Sequence, residues 1–430
     1  MENYDAIIIG AGTAGLCVAA LLANAGYKSL VLEKQKWVGG RARVVHKNGF
    51  IVDYGVHTLR GNYRKVFHPL GMELHKLRLP FLKGIILEDR GILHKLPKIS
   101  SLIRAKTLKI KDINLLLRHL GRLTLFKPQK YFNISIKQWL DGIGADQRLI
   151  RLFRVLSMII LVCPFLERAS LGEFLLTARH FLTGLGHPKG GFRQIHQCLI
   201  WKIRKCGGII QTEQKVDEII VENGRAVGVR IAGKEIRSKI VVSSLPVQKL
   251  HTIIDESLLE EKYSTLIKNL RPTAGISVDY GLKEKVYKEV MFLVSNPDVM
   301  GSFTSNIDPI TAPKGKQLVT FFNPLNVEDV KNREKAKGKL NLLEKKIFSM
   351  FPKLSNKIEW KRTLFLEMVD GVELNINQTQ DKRPDVEVPN ISNLFIASDS
   401  TRAEGAGGDI AFSSARMCFD RIVQTQSRNF

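Results

Sequence analysis

The sequence predicts an α/β protein in which a parallel β-sheet flanked by helices is joined to a second, α+β domain. Three observations lead to this prediction. An apolar strand, a glycine-rich turn and an Ala/Leu-rich helix open the chain between residues 4 and 25. Strand and helix patterns of the same kind return at residues 190–246 and 393–424. The segments between them lack this alternation. Because alternating strands and helices are typical of a parallel sheet, a chain of 430 residues is expected to contain two domains.

The first strand and turn carry the pattern Gly-x-Gly-x-x-Gly at Gly10, Gly12 and Gly15. In this pattern the first glycine allows a tight turn, the second lets the backbone approach a pyrophosphate, and the third lets helix and strand pack closely. The following helix would direct its free N–H groups and its positive dipole end at the phosphates. We therefore expect a dinucleotide to contact the residues of this turn, which are Gly10, Gly12, Thr13, Ala14 and Gly15.

An acidic residue closes the second strand of this unit. Residues 28–32 form an apolar strand pattern, and Glu33 follows it about 20 residues after Gly12. At this spacing an acidic residue accepts hydrogen bonds from a ribose diol. Lys34, the next residue, is counted with the cofactor-binding residues. A glycine-rich turn without a ligand is the alternative. The strand before, the helix after and the acid at the next strand together favour a dinucleotide-binding, Rossmann-like unit.

Both NAD and FAD bind to such a unit, and the next segment distinguishes them. Gly39, Gly40 and Arg41 suit a second backbone approach to a long cofactor, with a charge-assisted contact between Arg41 and the pyrophosphate. A solvated surface charge is the alternative for Arg41. The segment Glu-x(5)-Gly-Gly-Arg, with Asp53-x-Gly55 soon after, resembles the FAD-dependent amine oxidase and phytoene desaturase superfamily, which includes phytoene dehydrogenase-like oxidoreductases.

The resemblance implies roles for residues further along the chain. In the superfamily the residue at Val216 holds the adenine through its backbone, and a strand-end aspartate, here Asp399, binds the ribityl–phosphate end of FAD. The helix that begins near Ile410 would point its N-terminus at the N1–C2=O edge of the flavin. Its positive end favours a reduced, anionic flavin. The remaining residues expected to bind FAD are Gly40, Arg41, Gly55, Val56, Gly408, Asp409 and Ile410.

Two residues are candidates for a part in the reaction. His57 lies where the family approaches the flavin, and Asp409 lies at the start of the last helix. Asp409 has an alternative explanation as the N-cap of that helix, because Asp is a preferred N-cap residue. The sequence contains no other catalytic motif. Hydride transfer to a flavin requires positioning and an electron sink more than a protein acid, so this is no objection to an enzyme.

The resemblance covers residues 4–57, 190–246 and 393–424. It implies an α/β fold in which a Rossmann-like FAD-binding domain of the GR2 type contains an inserted α+β substrate domain. The middle of the chain diverges freely within such families, so the resemblance is specific for the cofactor and weak for the substrate. We expect a discontinuous FAD-binding domain at residues 1–65, 188–246 and 390–430, and a substrate or membrane-facing domain at residues 66–187 and 247–389.

The composition limits the partners and the location of the protein. The chain carries 66 Lys and Arg against 41 Asp and Glu, a net charge of +25, which indicates an anionic partner. No nucleic-acid recognition motif accompanies this charge, so a membrane surface is favoured over nucleic acid. A basic protein without such a partner is the alternative. Five scattered cysteines without metal-ligand spacing, and a start without a signal-peptide pattern, predict a cytoplasmic protein without a metal. Peripheral membrane attachment is compatible with this, and the oligomeric state stays open.

Two further segments bear on the membrane and on the substrate. Between Lys95 and Lys130 there are ten Lys and Arg and one acid, interleaved with apolar residues at helical spacing. This pattern favours amphipathic helices on anionic lipid over helices that pack on the core of the protein. The uncharged run at residues 155–166 is too short to span a membrane, which requires about 20 apolar residues. We expect it to line an apolar substrate cavity or to insert at an interface, with a plain core helix as the alternative.

The loop at residues 400–409 bears on the choice of activity. Amine oxidases of the superfamily place aromatic residues near the flavin, but this loop contains none and resembles the glycine-rich loop of phytoene desaturases. It departs from that loop at Ser398, which replaces the usual glycine, and in the polar residues Arg402, Glu404 and Asp409. These residues either bind a polar end group of the substrate or pair with each other. We expect an FAD-dependent oxidoreductase that acts on C–C bonds of a carotenoid-like or other isoprenoid lipid, as a dehydrogenase, isomerase or reductase. The alternatives are a flavin amine oxidase, a protoporphyrinogen-type oxidase, and a flavin- or lipid-binding protein without turnover.

Overall fold

A computed structural model describes most of the chain. The described residues are 4–54, 58–78, 85–89, 92–96, 111–112, 114–115, 118–119, 127–182 and 185–427. Gly55, Val56 and His57 lie outside these ranges, as does most of the basic segment between Lys95 and Lys130. The expectations for these residues therefore stay predictions.

The described strands are short and are numbered in chain order. They are β1 (Tyr4–Ile9), β2 (Ser29–Leu32), β3 (Val44–Lys47), β4 (Phe50–Asp53), β5 (Lys76–Arg78), β6 (Ile85–Asp89), β7 (Ile92–Leu96), β8 (Gly186–Pro188), β9 (Ile209–Gln211), β10 (Glu218–Glu222), β11 (Arg225–Ile231), β12 (Lys234–Ser243), β13 (Ala274–Leu282), β14 (Met291–Ser295), β15 (Asp298–Ser302), β16 (Gln317–Leu325), β17 (Ile358–Leu366) and β18 (Leu394–Ile396).

The α-helices whose bounds the described ranges give are numbered in the same way. They are α1 (Thr13–Asn24), α2 (Arg64–Phe67), α3 (Ile136–Gly142), α4 (Gln147–Leu161), α5 (Leu171–Leu182), α6 (Arg193–Lys205), α7 (Glu261–Asn269), α8 (Thr304–Ile307), α9 (Val327–Lys331), α10 (Arg333–Met350) and α11 (Gly408–Ser427).

The first sheet carries the glycine-rich turn at its centre. Parallel strands run in the order β18-β12-β1-β2-β9, and an antiparallel meander of β10 and β11 extends it through the first half of β12. Ile7 of β1 pairs with Val241 on one side and Leu30 on the other. Helix α1 packs against α6 and α11 and is buried almost throughout. This arrangement explains the continuous apolar strands, because helices cover a parallel sheet. The α/β class predicted from the sequence is confirmed.

A second sheet is built from chain segments that lie between those of the first. Within the described ranges its order is β17-β13-β16-β15-β14-β6-β7, and its neighbours are antiparallel except for β6 and β14. Four of its strands were predicted at residues 276–280, 291–294, 318–322 and 358–368, and they are present with shifted ends. The sequence pattern did not predict β6, β7 or β15.

The charged helical pattern at residues 327–351 predicts one long helix, and this prediction is wrong. The structure divides it at Asn332 into α9 and α10. Asn332 has an extended backbone (ψ 104°), and its side-chain oxygen accepts a hydrogen bond from the N–H of Lys335 (3.0 Å). Asn is a preferred N-cap residue because its side chain bonds to the first free N–H groups of a helix. The helical periodicity on both sides concealed this cap.

The apolar run at residues 155–166 covers the second half of α4 and the turn after it. Val155, Met158 and Leu161 are buried in a hydrophobic core that also contains the start of α11. Val162 ends the helix in a left-handed conformation (φ +57°), and Pro164 follows. Most of the run therefore packs inside the protein, while Leu156 and Ile159 stay partly exposed. Of the helices in the described ranges, none combines the length and the apolar character that crossing a membrane requires.

Candidate functional site

The glycine-rich turn lies at the carboxyl end of β1. Gly10 has a left-handed backbone (φ +97°), and a Cβ atom there would lie 2.7 Å from the hydroxyl oxygen of Ser244. A Cβ atom on Gly15 would lie 2.1 Å from the carbonyl oxygen of Gly10, so glycine lets α1 approach the turn closely. A Cβ atom on Gly12, by contrast, would meet no described atom within 4 Å. The start of α1 therefore borders an open space, into which its unpaired N–H groups and its dipole attract an anion.

Thr13 and Ala14 form the first turn of α1. The hydroxyl oxygen of Thr13 lies 3.1 Å from Nε2 of His196 on α6. His196 also lies against Gly39, where a Cβ atom would come within 2.9 Å of the imidazole ring. His196 thus connects the start of α1 to the second glycine turn. Sequence reasoning missed this contact, because a single histidine in an amphipathic helix has no motif around it.

Glu33 is buried at the carboxyl end of β2, with 7% of its surface exposed. Its carboxylate is tied to the glycine-rich turn, because Oε2 accepts a hydrogen bond from the N–H of Ala11 (2.8 Å). Oε1 accepts another from the N–H of Gln35 (2.9 Å). A carboxylate has about four lone-pair positions, so both oxygens can accept further hydrogen bonds from a ribose diol.

The segment that contains Val216 runs beside Glu33. The N–H of Gln214 donates to the carbonyl oxygen of Glu33 (2.9 Å), and Val216 is buried two residues later. The structure thus brings together the two residues expected at the adenosine end of the cofactor. Lys34 is exposed to solvent next to them.

The second glycine turn packs against the first. The N–H of Gly39 donates to the carbonyl oxygen of Ala11 (2.8 Å), and a Cβ atom on Gly40 would lie 3.3 Å from the Cα atom of Gly12. Both Gly39 (φ +103°) and Gly40 (φ +56°) have left-handed backbones. Gly39 and Gly40 therefore form one continuous backbone surface with Ala11 and Gly12, although the members of each contacting pair are 28 positions apart in the sequence.

Arg41 and Asp399 form a bidentate ion pair. The two guanidinium nitrogens of Arg41 lie 2.8 and 2.6 Å from the two carboxylate oxygens of Asp399. Arg41 also donates to the carbonyl oxygen of Val369 (3.0 Å), and Asp399 accepts a hydrogen bond from the N–H of Gly371 (2.8 Å). Burial lowers the pKa of Arg41, but the charge and hydrogen bond of Asp399 and the charge of Asp370 together outweigh it, so the pKa is raised. The side chain of Arg41 is 37% exposed, so it is an ion-paired residue that still contacts solvent. A guanidinium has five N–H donors, so this pairing leaves some for a pyrophosphate.

The loop at residues 400–409 leads into α11. Gly405 (φ +122°) and Gly407 (φ +57°) have left-handed backbones. Gly408 begins the helix, and a Cβ atom on it would meet no described atom within 4 Å. The starts of both α1 and α11 therefore have a glycine that borders open space. Ile410, the next apolar residue, is fully buried and fixes the helix to the core.

Asp409 lies inside the first turn of α11, and the N-cap explanation for it is wrong. The helix begins at Gly408, and Oδ1 of Asp409 accepts a hydrogen bond from the N–H of Asn62 in another segment (3.1 Å). Among the described residues, its buried Oδ2 accepts no hydrogen bond. Burial raises the pKa of Asp409 to about 6, although the guanidinium of Arg60 opposes this.

The other polar residues of the loop pair with the rest of the protein. Arg402 lies 3.4 Å from Asp385, and Glu404 pairs with Lys65. The expectation that Arg402, Glu404 and Asp409 pair with each other is therefore wrong. Their partners lie on neighbouring segments, which the spacing within the loop does not indicate.

Arg60 is a buried residue that connects the loop to α4. Its guanidinium donates to the carbonyl oxygen of Ala406 (3.0 Å) and to that of Ile160 (3.0 Å). Burial lowers the pKa of Arg60, while the carboxylates of Asp409 and Asp370 raise it. Arg60 thus places a positive charge between these two acids and the end of the apolar helix.

Asp370 is the third carboxylate of the site. Its Oδ2 accepts a hydrogen bond from the hydroxyl of Thr273 (3.1 Å), and its Oδ1 would lie 2.9 Å from a Cβ atom on Gly407. Burial, and then the nearby charge of Asp399, raise the pKa of Asp370 to about 6. Sequence reasoning missed both Asp370 and Arg60. The only indication was the Asp-Gly pair shortly after a strand pattern, and such a pair is more often part of a turn.

The described part of the chain contains no group of His, Cys, Asp and Glu suited to a metal ion. Gly55, Val56 and His57, which were expected to be part of the site, lie outside the described residues. Most of the remaining expected residues lie at the ends of β1, β2 and β18 and at the starts of α1 and α11. The second glycine turn links them, because Gly39 bonds to Ala11 and Arg41 bonds to Asp399.

Comparisons with known proteins agree with this geometry. The profile of the family described as flavin containing amine oxidoreductase matches residues 13–422. The zeta-carotene-forming phytoene desaturase of Myxococcus xanthus is 25% identical over 97% of this chain and 93% of its own length. The chloroplastic prolycopene isomerase of Daucus carota is 26% identical over 81% of this chain and 67% of its own length. An oxidoreductase structure from Methanosarcina mazei shares the fold, with a TM-score of 0.80 at 21% identity over 98% of this chain and 100% of its own.

The residues of the site fit FAD. Gly12 and Gly408 border a space that side chains would fill, and the N-termini of α1 and α11 attract negative charge there. Glu33 offers carboxylate oxygens at the adenosine end, and Arg41 offers a guanidinium between the two helix starts. The chain belongs to the flavin-containing amine oxidoreductase family and is an FAD-dependent oxidoreductase.

Proposed function

We propose that this enzyme acts on a C–C bond of a carotenoid-like or other isoprenoid lipid. The observation that carries this proposal is the contact between the apolar helix α4 and the loop at residues 400–409. Arg60 bonds to Ile160 at the end of α4 and to Ala406 in the loop, so both lie against the same buried guanidinium. An apolar chain that follows α4 would arrive where the loop leads into α11.

The surroundings of this contact are apolar on both sides. Met158 and Ile160 of α4 share one hydrophobic core with Ala403, Ala406 and Ile410. A hydrocarbon that leaves water to pack beside such a core gains about 0.8 kcal/mol for each buried CH₂ group. A substrate built of isoprene units would therefore bind through many small contributions without needing charged partners.

One face of α4 is suited to contact a substrate. Leu152, Leu156 and Ile159 follow one another at helical spacing and are only partly buried, while the residues between them are mostly buried. Partly exposed apolar residues on a helix that ends at the site favour an apolar channel over a plain core helix.

The polar residues of the loop do not require a polar end group on the substrate. Arg402 and Glu404 are already paired with Asp385 and Lys65. Asp409 is the exception, because its Oδ2 has no partner among the described residues. The loop is therefore compatible with a hydrocarbon substrate.

The names of the relatives support the same substrate class. One relative is a phytoene desaturase that forms zeta-carotene, and another is a prolycopene isomerase. Identities near 25% support the class of substrate and leave the reaction direction open. Desaturation, isomerisation and reduction of a polyene all remain within the proposal.

Residues of this chain would hold FAD and manage protons. When bound, the flavin exchanges a hydride with a substrate carbon. Glu33 would accept hydrogen bonds from the ribose, Arg41 would neutralise the pyrophosphate, and the start of α11 would stabilise negative charge. Asp409 is proposed to take the proton that leaves the neighbouring substrate carbon, or to return it in the reverse direction, through its unpartnered Oδ2. His57 stays a second candidate outside the described residues.

The remaining proposals concern domains and location. The second sheet and helices α3 to α5 are proposed to form the inserted substrate domain, within the boundaries predicted from the sequence. The excess of positive charge supports attachment to an anionic membrane surface. The five cysteines, all within the described ranges, are free thiols, which supports a reducing, cytoplasmic environment.

The substrate class can be tested by extracting the lipid that co-purifies with the protein. We expect an isoprenoid in the organic extract, identified by mass spectrometry. Leu156→Gln places a polar group on the proposed channel and should reduce the extracted amount at least tenfold. Leu342→Gln is the matched control, because Leu342 lies on α10 and is 56% exposed. Equal retention by both variants would show that α4 does not line the binding site.

A further inference from the structure

Asp370 lies on a short segment that is held from several sides. The carbonyl oxygen of Val369 accepts a hydrogen bond from Arg41, and the N–H of Gly371 donates to Asp399. The side-chain nitrogen of Gln248 (Nε2) donates to the carbonyl oxygen of Gly371 (2.6 Å). The backbone on both sides of Asp370 is thus fixed to residues of the cofactor site.

The side chain of Asp370 points at the turn before α11. Its Oδ1 would touch a Cβ atom on Gly407 at 2.9 Å, and its Oδ2 is held by Thr273 (3.1 Å). The next residue, Gly408, borders the open space at the helix start. The side chain of Asp370 is only partly buried, and the turn before α11 and the Arg41–Asp399 pair flank it.

Charges of both signs surround this carboxyl group. The negative charge of Asp399 raises the pKa of Asp370, whereas the positive charges of Arg41 and Arg60 lower it. The hydroxyl of Thr273 donates to it. Together with burial, these groups raise the pKa of Asp370 to about 6, close to the neutral range in which a small change of field alters its protonation.

We propose that the Asp370 carboxylate takes up one proton from solvent when the bound flavin is reduced, and releases that proton when the flavin is oxidised. Reduction would add two electrons and one proton to the flavin: a substrate would supply them together as a hydride, whereas dithionite would supply the electrons and solvent the proton. Asp370 becomes a neutral carboxylic acid in the same step. This proposal rests on FAD binding and does not depend on the identity of the substrate.

The physical reason is the charge that reduction adds at the start of α11. A new negative charge near a carboxylate favours its neutral form and raises its pKa further. Because the pKa of Asp370 is already raised to about 6, the added charge would raise that pKa through the neutral range. Uptake of a proton then offsets the repulsion between the reduced flavin and the three acids of the site.

The proposal predicts how the midpoint potential of the bound flavin depends on pH. For a two-electron couple, each proton taken up contributes about 29.6 mV per pH unit. We expect the wild-type enzyme to show twice this slope above pH 6, one proton on the flavin and one on Asp370. The measurement is a spectroelectrochemical titration with dithionite in the absence of substrate.

Three variants separate Asp370 from other proton acceptors. Asp370→Asn keeps the shape and the bond from Thr273, and it should halve the slope. Thr273→Val removes a bond that lowers the pKa of Asp370, so the steep region should move to higher pH. Asp385→Asn is the matched control, because Asp385 pairs with Arg402 of the loop at residues 400–409 (3.4 Å), and it should keep the wild-type slope.

Several results would overturn the proposal. One is a wild-type slope near 29.6 mV per pH unit from pH 6 to 9, which means that only one proton is taken up. Another is an Asp370→Asn profile parallel to the wild type, since the second proton would then reside on the flavin. A halved slope in Asp409→Asn instead would assign the proton to Asp409. If Asp370→Asn fails to retain FAD, an unshifted Thr273→Val profile refutes the proposal by itself.

Discussion

Replacing Gly12 by valine should separate cofactor binding from folding. Gly12 has φ −73° and ψ 176°, an extended conformation that any residue adopts. A Cβ atom on it would meet no described atom within 4 Å. Gly12→Val should therefore fold, but its side chain would occupy the space in which the backbone approaches the pyrophosphate.

Gly12→Val should have opposite effects on the free energy of unfolding of the apo protein and of the protein with FAD. A larger residue at a compatible glycine position stabilises a fold by about 0.4–1 kcal/mol, because it restricts the unfolded chain. The apo form of Gly12→Val should be at least as stable as apo wild type. A ligand present at 100 times its Kd stabilises by about 2.7 kcal/mol, and the variant should lose this contribution.

Thermal unfolding with and without added FAD measures both effects. Gly338→Val is the matched control, because Gly338 lies within α10 and a Cβ atom there also meets no described atom within 4 Å. The control should keep the FAD-dependent rise in Tm, and Gly12→Val should lack it. Gly15→Val should fail to fold, because its Cβ atom would overlap the carbonyl oxygen of Gly10. Stabilisation of Gly12→Val by FAD would refute the position assigned to the pyrophosphate.

Three further predictions follow from the same contacts. Glu33→Ala should weaken FAD binding about 10- to 100-fold in equilibrium titrations, because charged hydrogen bonds contribute about 1.5–3 kcal/mol; unchanged affinity would remove Glu33 from the ribose site. Asp409→Asn should bind FAD, and in apo protein its stability relative to wild type should rise between pH 4 and pH 7. The reason is that burial raises the pKa of Asp409 from its ordinary value of 3.8 to about 6, so the wild type loses stability as the pH rises between these two values and Asp409→Asn does not; chemical denaturation with equal differences at both pH values would contradict this. Co-sedimentation with anionic liposomes should fall as salt rises, since each Lys or Arg near the surface contributes about 1 kcal/mol, and equal binding to neutral liposomes would exclude an electrostatic anchor.

The sequence predicted the cofactor end of the site well because its geometry is local. The turn at Gly10, Gly12 and Gly15 and the acid at Glu33 depend on contacts within one βαβ unit, which fixed spacing can specify. The structure also brings the second glycine turn, with Gly40, into contact with the first, which the sequence spacing alone does not indicate.

The reaction end of the site was harder to predict because its contacts are long-range. Arg60 meets Ala406 and Ile160 across hundreds of residues, and Asp370 reaches the site only because the second sheet returns the chain there. No periodicity or motif marks such residues. The N-cap at Asn332 was missed for a different reason. The helical pattern continues on both sides of this residue, so periodicity does not mark the break at which its side chain accepts a hydrogen bond.

The central claim is that the flavin exchanges a hydride with an isoprenoid lipid. Its most direct test is anaerobic stopped-flow spectroscopy of the oxidised and of the dithionite-reduced enzyme, with mass spectrometry of the products. The panel contains polyenes, saturated prenyl lipids, primary amines and porphyrinogens. We expect a polyene or prenyl lipid to bleach the oxidised flavin with loss of two hydrogens, to reoxidise the reduced flavin with gain of two, or to isomerise on the reduced enzyme. Bleaching by an amine or a porphyrinogen, with every lipid of the panel recovered unchanged, would contradict the proposed function.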